Sequence, residues 1–198
     1  MRIISGKFKG QLLKMPKGSK IRPSSQRVKA ALFNILNSRI CGATLLELFA
    51  GSGNIGIEAL SRGAKKVFFV EKNYSCIRAI ETNLKHIGIG YTLRLTRHTK
   101  EEVSAVLLPF DVERAIKMLH QKGQRFDLVF LDPPYYQDES KNSLIKICRY
   151  DILRPHSYVI VEHNKREVLP HLLEGLRLIF SKSYGDSILS FYKKETKL

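Results

Sequence analysis

The sequence has few cysteines, and none is placed for a disulfide framework or a zinc ribbon. Cys41, Cys76 and Cys148 are odd in number, far apart along the chain and free of any CxxC pair. Such sparse cysteines are typical of a protein in a reducing compartment, so we expect a cytoplasmic location. The six histidines likewise show no metal-ligand spacing, and we expect no bound metal.

Long hydrophobic runs are absent as well. No apolar run reaches the length of about 18 residues that a membrane-spanning helix needs, and the first residues lack the apolar region of a secretory signal. We therefore expect no membrane partner. The 198 residues, 43% of them hydrophobic and 26% charged, fit about one globular domain with a small appendage.

Acidic side chains are missing from the first part of the chain. Residues 1–46 hold ten basic side chains and no Asp or Glu, and the formal net charge of the whole chain is +16. A stretch of one sign repels itself unless an anion offsets it, so a nucleic acid is the expected partner. The RNA-binding candidates are Arg2, Lys7, Lys9, Arg22, Arg27 and Lys29.

Residues 1–39 are predicted to form this basic RNA-binding extension. Residues 2–15 have the pattern of two short strands around a Gly-flanked turn. Apolar residues at helical spacing then predict a helix over about 26–38, capped by one of the two preceding serines. Because the other side of this helix carries Arg27 and Lys29, we expect the helix to present cations while its apolar face docks.

Over residues 40–198, short apolar runs alternate with segments of helical spacing. The predicted strands are Thr44–Phe49, Lys66–Glu71, Ala105–Phe110, Phe126–Leu131, Tyr158–Glu162, Leu176–Tyr184 and Ser187–Lys193, and the predicted helices are 53–62, 74–87, 112–121 and 140–150. This alternation indicates an α/β, Rossmann-like domain with a mostly parallel seven-stranded sheet and helices on both faces. The tight turn Gly185-Asp186 predicts that the last two strands form an antiparallel hairpin. The polar stretch 88–103 is interpreted as a loop insertion.

A strand, a glycine loop and a helix follow one another over Leu45–Gly56, an arrangement that lets a nucleotide approach the backbone closely. The GxGxxG pattern of this loop does not by itself distinguish a dinucleotide from other nucleotide cofactors. Glu71 ends the next strand, where a carboxylate would accept ribose hydroxyls. Glu47 lies beside the loop, where it would repel a pyrophosphate but attract the ammonium and sulfonium groups of S-adenosylmethionine.

Asp111 and Asp132 are expected to end two further parallel strands. Four acids would then converge on one sheet edge of a strongly basic protein, which favours a cationic cofactor. A lone Asp before a helix is also an ordinary N-cap, so both interpretations of Asp111 stay open.

The segment Asp132-Pro133-Pro134-Tyr135 directly follows a predicted strand. Consecutive prolines make a rigid loop at the carboxyl end of that strand, where open α/β sheets bind ligands. The Asp132 carboxylate and the Pro133 carbonyl could accept the two hydrogens of an exocyclic amine and direct its lone pair toward a methyl donor. Tyr135 could place a flat face beside the extruded base. Methyl transfer to an exocyclic amine is therefore predicted, with these three residues as catalytic candidates.

Taken together, these motifs resemble the RsmD family of 16S ribosomal RNA guanine-N2 methyltransferases, which are class I S-adenosylmethionine-dependent enzymes. The similarity runs nearly end to end. It is carried by Arg2–Gly6 with Lys9-Gly10, Arg22-Pro23-Ser24 with Arg27–Lys29 and Leu32–Asn34, Glu47–Gly53, Glu58–Ala64, Glu71, Asp132–Tyr135, Val161–His163 and Tyr184–Asp186.

The resemblance implies the class I methyltransferase fold and methyl transfer to the N2 amine of one guanine in 16S ribosomal RNA. The expected partner is that RNA within the small ribosomal subunit or its assembly intermediate, and we expect a monomer. Cofactor contacts are expected from Glu47, Phe49, Gly51, Ser52, Gly53, Glu71, Asp111 and Asp132, and base contacts from Asp132, Pro133 and Tyr135. The stretch 88–103 is longer than the segment that we expect before the third strand in this family. If the third strand is instead Tyr91–Leu95, the adenine contact falls near Arg97 or His98.

Three alternatives remain beside this prediction. An adenine-N6 methyltransferase acting on DNA or RNA uses the same loop, and only the family resemblance favours guanine. A nicotinamide-dependent oxidoreductase is disfavoured by the Asp-Pro-Pro-Tyr loop, by Glu47 and by the lack of residues for a substrate domain. A noncatalytic RNA-binding assembly protein is disfavoured by the intact glycine loop, by Glu71 and by Asp132.

Overall fold

The computed structural model describes residues 1–16, 25–93, 103–134 and 139–195. Its strands are β1 Thr44–Leu48, β2 Lys66–Val70, β3 Tyr91–Thr92, β4 Ala105–Leu108, β5 Phe126–Leu131, β6 Leu153–Asn164, β7 Leu172–Leu173, β8 Leu176–Tyr184 and β9 Ser187–Lys194. Its helices are α1 Gln26–Leu36, α2 Asn54–Ser61, α3 Tyr74–His86, α4 Val112–Gln121 and α5 Glu139–Arg149, with a 3₁₀ helix at Asn37–Ile40. Within these ranges no helix is long and apolar enough to cross a membrane. Two predicted site residues, Arg22 and Tyr135, lie outside the described residues.

All strands belong to one sheet with the order β3-β4-β2-β1-β5-β6-β9-β8-β7. The first six strands in this order pair in parallel with one another, whereas β9 pairs antiparallel with both β6 and β8. The hairpin of β8 and β9 closes with Tyr184 opposite Ser187, which confirms the predicted turn at Gly185-Asp186. The predicted parallel sheet with a C-terminal antiparallel hairpin is therefore confirmed.

The seven predicted strands are all present, and the structure adds two strands of two residues each at the edges of the sheet. One of them, β3, lies within the stretch 88–103, so the interpretation of that whole stretch as a loop is wrong. β3 pairs in parallel with β4, whereas β4 pairs directly with β2. Asp111 therefore follows the strand next to β2, while Arg97 and His98 lie outside the described residues.

Two apolar clusters cover the two faces of the sheet, because successive strand residues point to opposite sides. In β1, Leu45 belongs to one cluster and Leu46 to the other. The first cluster packs the strands against α1, α2 and α3, and the second packs them against α4 and α5. This arrangement explains why the parallel strands have continuous apolar sequences.

The helix predicted over 26–38 forms α1 and ends at Leu36, and the 3₁₀ helix continues it. Ser25 is the N-cap, and its hydroxyl accepts a hydrogen bond from the N–H of Val28 at 3.1 Å. Val28, Leu32 and Leu36 face the core. Their spacing is the helical period that the sequence showed.

The first residues form a short hairpin that packs on α2. Arg2 and Leu12 form an isolated antiparallel bridge, which matches the predicted pair of short strands. The N–H of Lys7 donates to the carbonyl of Ser61, the last residue of α2, at 2.7 Å. A Cβ on Gly6 would lie 1.8 Å from that carbonyl oxygen, so only glycine allows this approach. The hairpin shares one apolar cluster with the sheet.

Candidate active site

The glycine loop between β1 and α2 is held in an unusual backbone conformation. Phe49, Gly51 and Gly53 all have left-handed φ angles, of 58°, 54° and 75°. Glycine adopts this conformation without cost, whereas a side chain such as that of Phe49 is strained by it, and such strain is concentrated at functional sites. Gly56 serves a different purpose, because a Cβ there would lie 2.4 Å from the Phe69 ring. The loop can therefore turn tightly while α2 packs close to β2.

Glu47 is buried, with 3% of its surface exposed, at the end of β1 and beneath the first turn of α2. Its two carboxylate oxygens accept hydrogen bonds from the N–H groups of Ile55 and Gly56, at 3.2 and 2.9 Å. Burial raises the pKa of Glu47 to about 8, and the two N–H donors oppose this rise. The carboxyl group is therefore mostly protonated at neutral pH, and a nearby cation would shift it to the charged form.

Glu71 follows β2 and closes over the glycine loop. One carboxylate oxygen accepts from the N–H of Gly51 at 2.8 Å, and the other accepts from the N–H of Asn73 at 2.8 Å. The sheet register places β2 directly beside β1, so the two acids predicted to hold a cofactor lie at the same edge. Glu71 is half-buried, so solvent reaches this part of the site.

Asp111 follows β4 at the same edge but serves as an N-cap in this structure. Its carboxylate accepts a hydrogen bond from the N–H of Arg114 at 2.9 Å, and the side chain is exposed. The capping interpretation that the sequence left open is thus present in the structure. One carboxylate oxygen serves the cap, and the contact of the other with a cofactor stays a prediction.

Asp132 and Pro133 follow β5, the other neighbour of β1. Leu48 pairs with Leu131, so the residues that follow them, Phe49 and Asp132, lie side by side at the ends of the two strands. Asp132 is half-buried, Pro133 is buried and Pro134 is exposed. The Asp-Pro-Pro segment thus begins beside the glycine loop, in agreement with the prediction that these parallel strands end at one edge of the sheet.

A small cavity lies beside some of these groups, and Glu71, Asp111 and Pro133 are not among its lining residues. Its lining includes five predicted site residues, Glu47, Phe49, Gly51, Ser52 and Asp132, together with Met15, Pro16, Ala50, Asn54, Ile55 and Phe130. The cavity volume is about 30 Å³, close to that of one water molecule, whereas ligand pockets usually have about 300–1,000 Å³. The space that these residues enclose is therefore smaller than a nucleoside-sized cofactor.

The N-terminal hairpin supplies a part of this wall that was not predicted from the sequence. Asn83 of α3 is 1% exposed and bonds to the hairpin and to the loop at the same time. Its amide nitrogen donates to the carbonyls of Lys14 and Ser52, at 3.0 and 3.2 Å, and its amide oxygen accepts from the N–H of Lys14 at 2.7 Å. Asn83 stands three residues after Ile80 on the apolar stripe of α3, and a polar residue at such a position was the available signal.

The structure corrects the prediction for Lys29, which is buried with 0% of its surface exposed. Its ammonium donates to the carbonyl of Arg2 and to the side chain of Asn54, both at 2.9 Å, and lies 3.1 Å from the carboxylate of Glu58. Burial lowers the pKa of Lys29, and Glu58 opposes that decrease. An ammonium enclosed in this way cannot reach an RNA phosphate, so Lys29 joins the hairpin to α1 and α2 instead.

The other predicted RNA-binding cations that the structure describes have exposed side chains. They are Arg2, Lys7, Lys9 and Arg27. Glu58, which is fully buried, fixes the hairpin that carries the first three, because its oxygens accept from the N–H groups of Ile4 and Ser5 at 2.9 and 3.0 Å. The hairpin surface with Arg2, Lys7 and Lys9 is thus bonded directly to α2, the helix that follows the glycine loop.

Known proteins share this architecture over nearly the whole chain. The family model described as conserved hypothetical protein 95 matches residues 1–193. YlbH of Bacillus subtilis, which has a provisional rRNA methyltransferase name, is 36% identical over 194 residues, covering 98% of this chain and 99% of that protein. Ribosomal RNA small subunit methyltransferase D of Haemophilus influenzae is 34% identical and covers 85% of this chain and 81% of its own. The solved structure of yhhF from Escherichia coli, provisionally titled a methyltransferase, has a TM-score of 0.79 at 27% identity and covers 100% of this chain and 99% of that one.

These similarities agree with the features found in the structure. The sheet order, the C-terminal hairpin and the helices on both faces are those of a class I methyltransferase fold, as predicted. The sequence similarity includes the N-terminal hairpin as well as the domain behind it. The chain therefore belongs to the family described as conserved hypothetical protein 95, which is the RsmD family.

Proposed function

We propose that the protein is an S-adenosylmethionine-dependent methyltransferase that modifies the N2 amine of a guanine in 16S ribosomal RNA. The observation that carries the proposal is the common cavity at the carboxyl edge of the sheet. It brings the buried acid Glu47 and the strained glycine loop together with Asp132, at the start of the Asp-Pro-Pro segment. A cationic nucleoside and an exocyclic amine could therefore meet at one place.

The residues at this edge fit the cofactor. Glu71 is half-buried beside the loop, where its carboxylate could accept ribose hydroxyls in addition to the N–H of Gly51. Glu47 lies in the cavity wall, where its ionised form would balance a positive charge. When bound, S-adenosylmethionine supplies an electrophilic methyl group. A pyrophosphate would instead meet the carboxylate of Glu71 and bring no cation to Glu47, which argues against a dinucleotide.

The Asp-Pro-Pro segment accounts for the choice of an exocyclic amine. The lone pair of such an amine is delocalised into the ring, so the amine is a weak nucleophile. The Asp132 carboxylate and the Pro133 carbonyl accept its two hydrogens and favour a pyramidal nitrogen, whose lone pair then points toward the methyl group. Asp132 accepts the proton that the amine releases after transfer. Tyr135 completes this proposal as the flat face for the base.

The basic N-terminal extension over 1–39 would hold the RNA substrate, and residues 40–198 would carry the reaction. The exposed cations Arg2, Lys7 and Lys9 on the hairpin can contact phosphates, which position an RNA without selecting its sequence. The name of the Haemophilus influenzae relative specifies small-subunit ribosomal RNA. The same substrate is proposed here, either as naked RNA or within an assembling small subunit.

The test compares methyl transfer to small-subunit RNA by Asp132→Ala and by a matched variant, Asp186→Ala. Asp186 is an exposed carboxylate in the turn of the C-terminal hairpin, away from the cavity, and pairs with Lys165. We expect Asp132→Ala to lose transfer by at least about 100-fold, the contribution of one positioned acid–base group, while RNA binding persists. Asp186→Ala should transfer normally. Full activity of Asp132→Ala would contradict the proposed mechanism.

A further inference from the structure

A second, much larger cavity lies at the opposite edge of the sheet, where the parallel strands begin. Its volume is about 680 Å³. Its wall includes Thr44 and Lys66, the first residues of β1 and β2, and Arg125, which precedes β5. The candidate active site lies at the other end of these same strands, so this cavity is separate from it.

The wall of the second cavity is strongly basic. Five cationic side chains line it, those of Lys65, Lys66, Arg125, Arg154 and Lys194. Asp151 also lines it, and Asp127 pairs with one of the cations, so five positive charges face two negative ones. The cavity thus keeps a positive excess after its internal ion pairs are counted, which favours an anionic ligand with more than one charge.

The two carboxylates hold three of the cations in place. Asp151 bonds to the ammonium of Lys194 at 2.6 Å and lies 3.5 Å from the guanidinium of Arg125. Asp127 accepts from Arg154 at 2.9 Å and from the N–H of Thr44 at 2.8 Å. Donors fixed in this way lose little conformational freedom when they bind a ligand.

The other two cations have no carboxylate partner in the part of the chain that the structure describes. Lys65 is exposed and Lys66 is half-buried, with its ammonium 5.9 Å from the centre of the Phe68 ring. Since no described carboxylate neutralises them, these two lysines provide the charge that is available to an incoming anion.

The backbone of β6 departs from regular pairing at this wall. Phe126 pairs with Leu153, but Leu128 pairs with Tyr158, so the residues between Leu153 and Tyr158 bulge out of the sheet. His156 in the bulge has a left-handed φ of 62°. A bulge redirects side chains, and here it carries Arg154 to the cavity. Strain of this kind persists where the surrounding structure maintains it, often at functional sites.

We propose that this cavity binds phosphate groups, and that in the working protein they are consecutive phosphates of the substrate RNA. The volume is that of a ligand site, and Arg and Lys side chains are the usual phosphate donors. The RNA would then contact both edges of the sheet, with the target base at one and its backbone at the other. The identity of the ligand as RNA rests on the proposed function, whereas the affinity for phosphate does not.

The test measures binding of small-subunit RNA as a function of salt for Lys65→Gln/Lys66→Gln. The matched control is Lys117→Gln/Lys182→Gln, which removes two exposed lysines elsewhere. Each lost phosphate contact reduces the slope of log K against log salt concentration by about 0.7–0.9, so we expect a reduction of about 1.4–1.8. Lys65→Gln alone, at the more exposed position, should reduce the slope by about half as much. The control should keep the slope of the unmodified protein.

A second arm measures inorganic triphosphate binding by calorimetry, and methyl transfer is measured on the same samples. A reduced RNA slope in the cavity variant supports RNA as the ligand. An unchanged slope with triphosphate binding that the cavity variant loses supports a phosphate site but assigns it to a free polyphosphate. Equal slopes in both double variants, together with no triphosphate binding, overturn the inference. Methyl transfer by the unmodified protein reports separately on the proposed function.

Discussion

Replacement of Lys29 by Met tests the role that the structure gives to this buried lysine. The change removes the ammonium while keeping an unbranched apolar side chain of similar length. Its bonds to the Arg2 carbonyl and the Asn54 side chain are lost, as is the ion pair with Glu58. The hairpin, α1 and α2 then lose the group that joins all three.

The magnitude follows from what remains around Glu58. Removing one partner of a buried ion pair costs about 3–5 kcal/mol, because the other charge stays buried. Glu58 retains the guanidinium of Arg62 at 2.9 Å and two backbone N–H donors, so we expect the low end, about 3 kcal/mol. Glu58→Gln leaves Lys29 buried with neutral acceptors only, so we expect about 5 kcal/mol. The double variant should lose about 1–3 kcal/mol less than the sum.

Denaturant and thermal unfolding measure these losses. For a chain of this size, 3 kcal/mol corresponds to a decrease in Tm of about 6–12 °C. Lys117→Met removes an exposed lysine on α4 and should stay within about 0.5 kcal/mol of the unmodified protein. A Lys29→Met variant as stable as this control, but with a shallower salt dependence of RNA binding, would show that Lys29 contacts phosphate and that the structural argument is wrong.

Two further predictions concern the wall of the small cavity. Because the pKa of Glu47 is raised to about 8 from its ordinary 4.5, the folded protein binds one more proton than the unfolded chain between these values. The free energy of unfolding should therefore fall as the pH rises from about 5 to 8, and Glu47→Gln should lose this slope in denaturant titrations at both pH values. Asn83→Ala removes the bonds to Lys14 and Ser52 and leaves buried polar groups unpaired, at a cost of about 1–3 kcal/mol. We expect its KM for S-adenosylmethionine to rise by about 5-fold or more while Asn34→Ala, on the exposed face of α1, keeps the original KM. Equal KM values in the two variants would contradict a role of Asn83 in positioning the loop.

The sequence predicted the central part of the fold because the buried parallel strands are continuous apolar runs. Each predicted strand of the domain, from Thr44–Phe49 to Ser187–Lys193, overlaps a strand in the structure. β7 was missed and β3 was predicted only within the alternative strand Tyr91–Leu95, because each has only two residues and pairs with one neighbour at the edge of the sheet. Pairing of that length leaves no periodic pattern in a sequence.

The convergence of Glu47, Glu71 and Asp132 on one edge was predictable because parallel strands end together. The burial of Lys29 could have been predicted from its position in α1. With Leu32, Phe33 and Leu36 it occupies positions i, i+3, i+4 and i+7, so it lies on the buried stripe rather than beside it. Its partner Glu58 is 29 residues away, and no local pattern could identify it.

The part of the cavity wall supplied by the hairpin depends on tertiary packing in the same way. Met15 and Pro16 reach the cavity because Asn83 holds Lys14 from a helix 69 residues away. In sequence, Met15 and Pro16 only end a predicted strand. Their place beside the glycine loop is visible only when α2, α3 and the hairpin are seen together.

The proposed reaction is tested by transfer of a labelled methyl group from S-adenosylmethionine to unmodified small ribosomal subunits and to naked 16S RNA, followed by digestion to nucleosides. We expect label in N2-methylguanosine with at least one of the two substrates. Label in N6-methyladenosine would keep the amine chemistry of the Asp132 loop but contradict the proposed base. Absence of label from both, with S-adenosylmethionine bound, would contradict the proposed reaction itself.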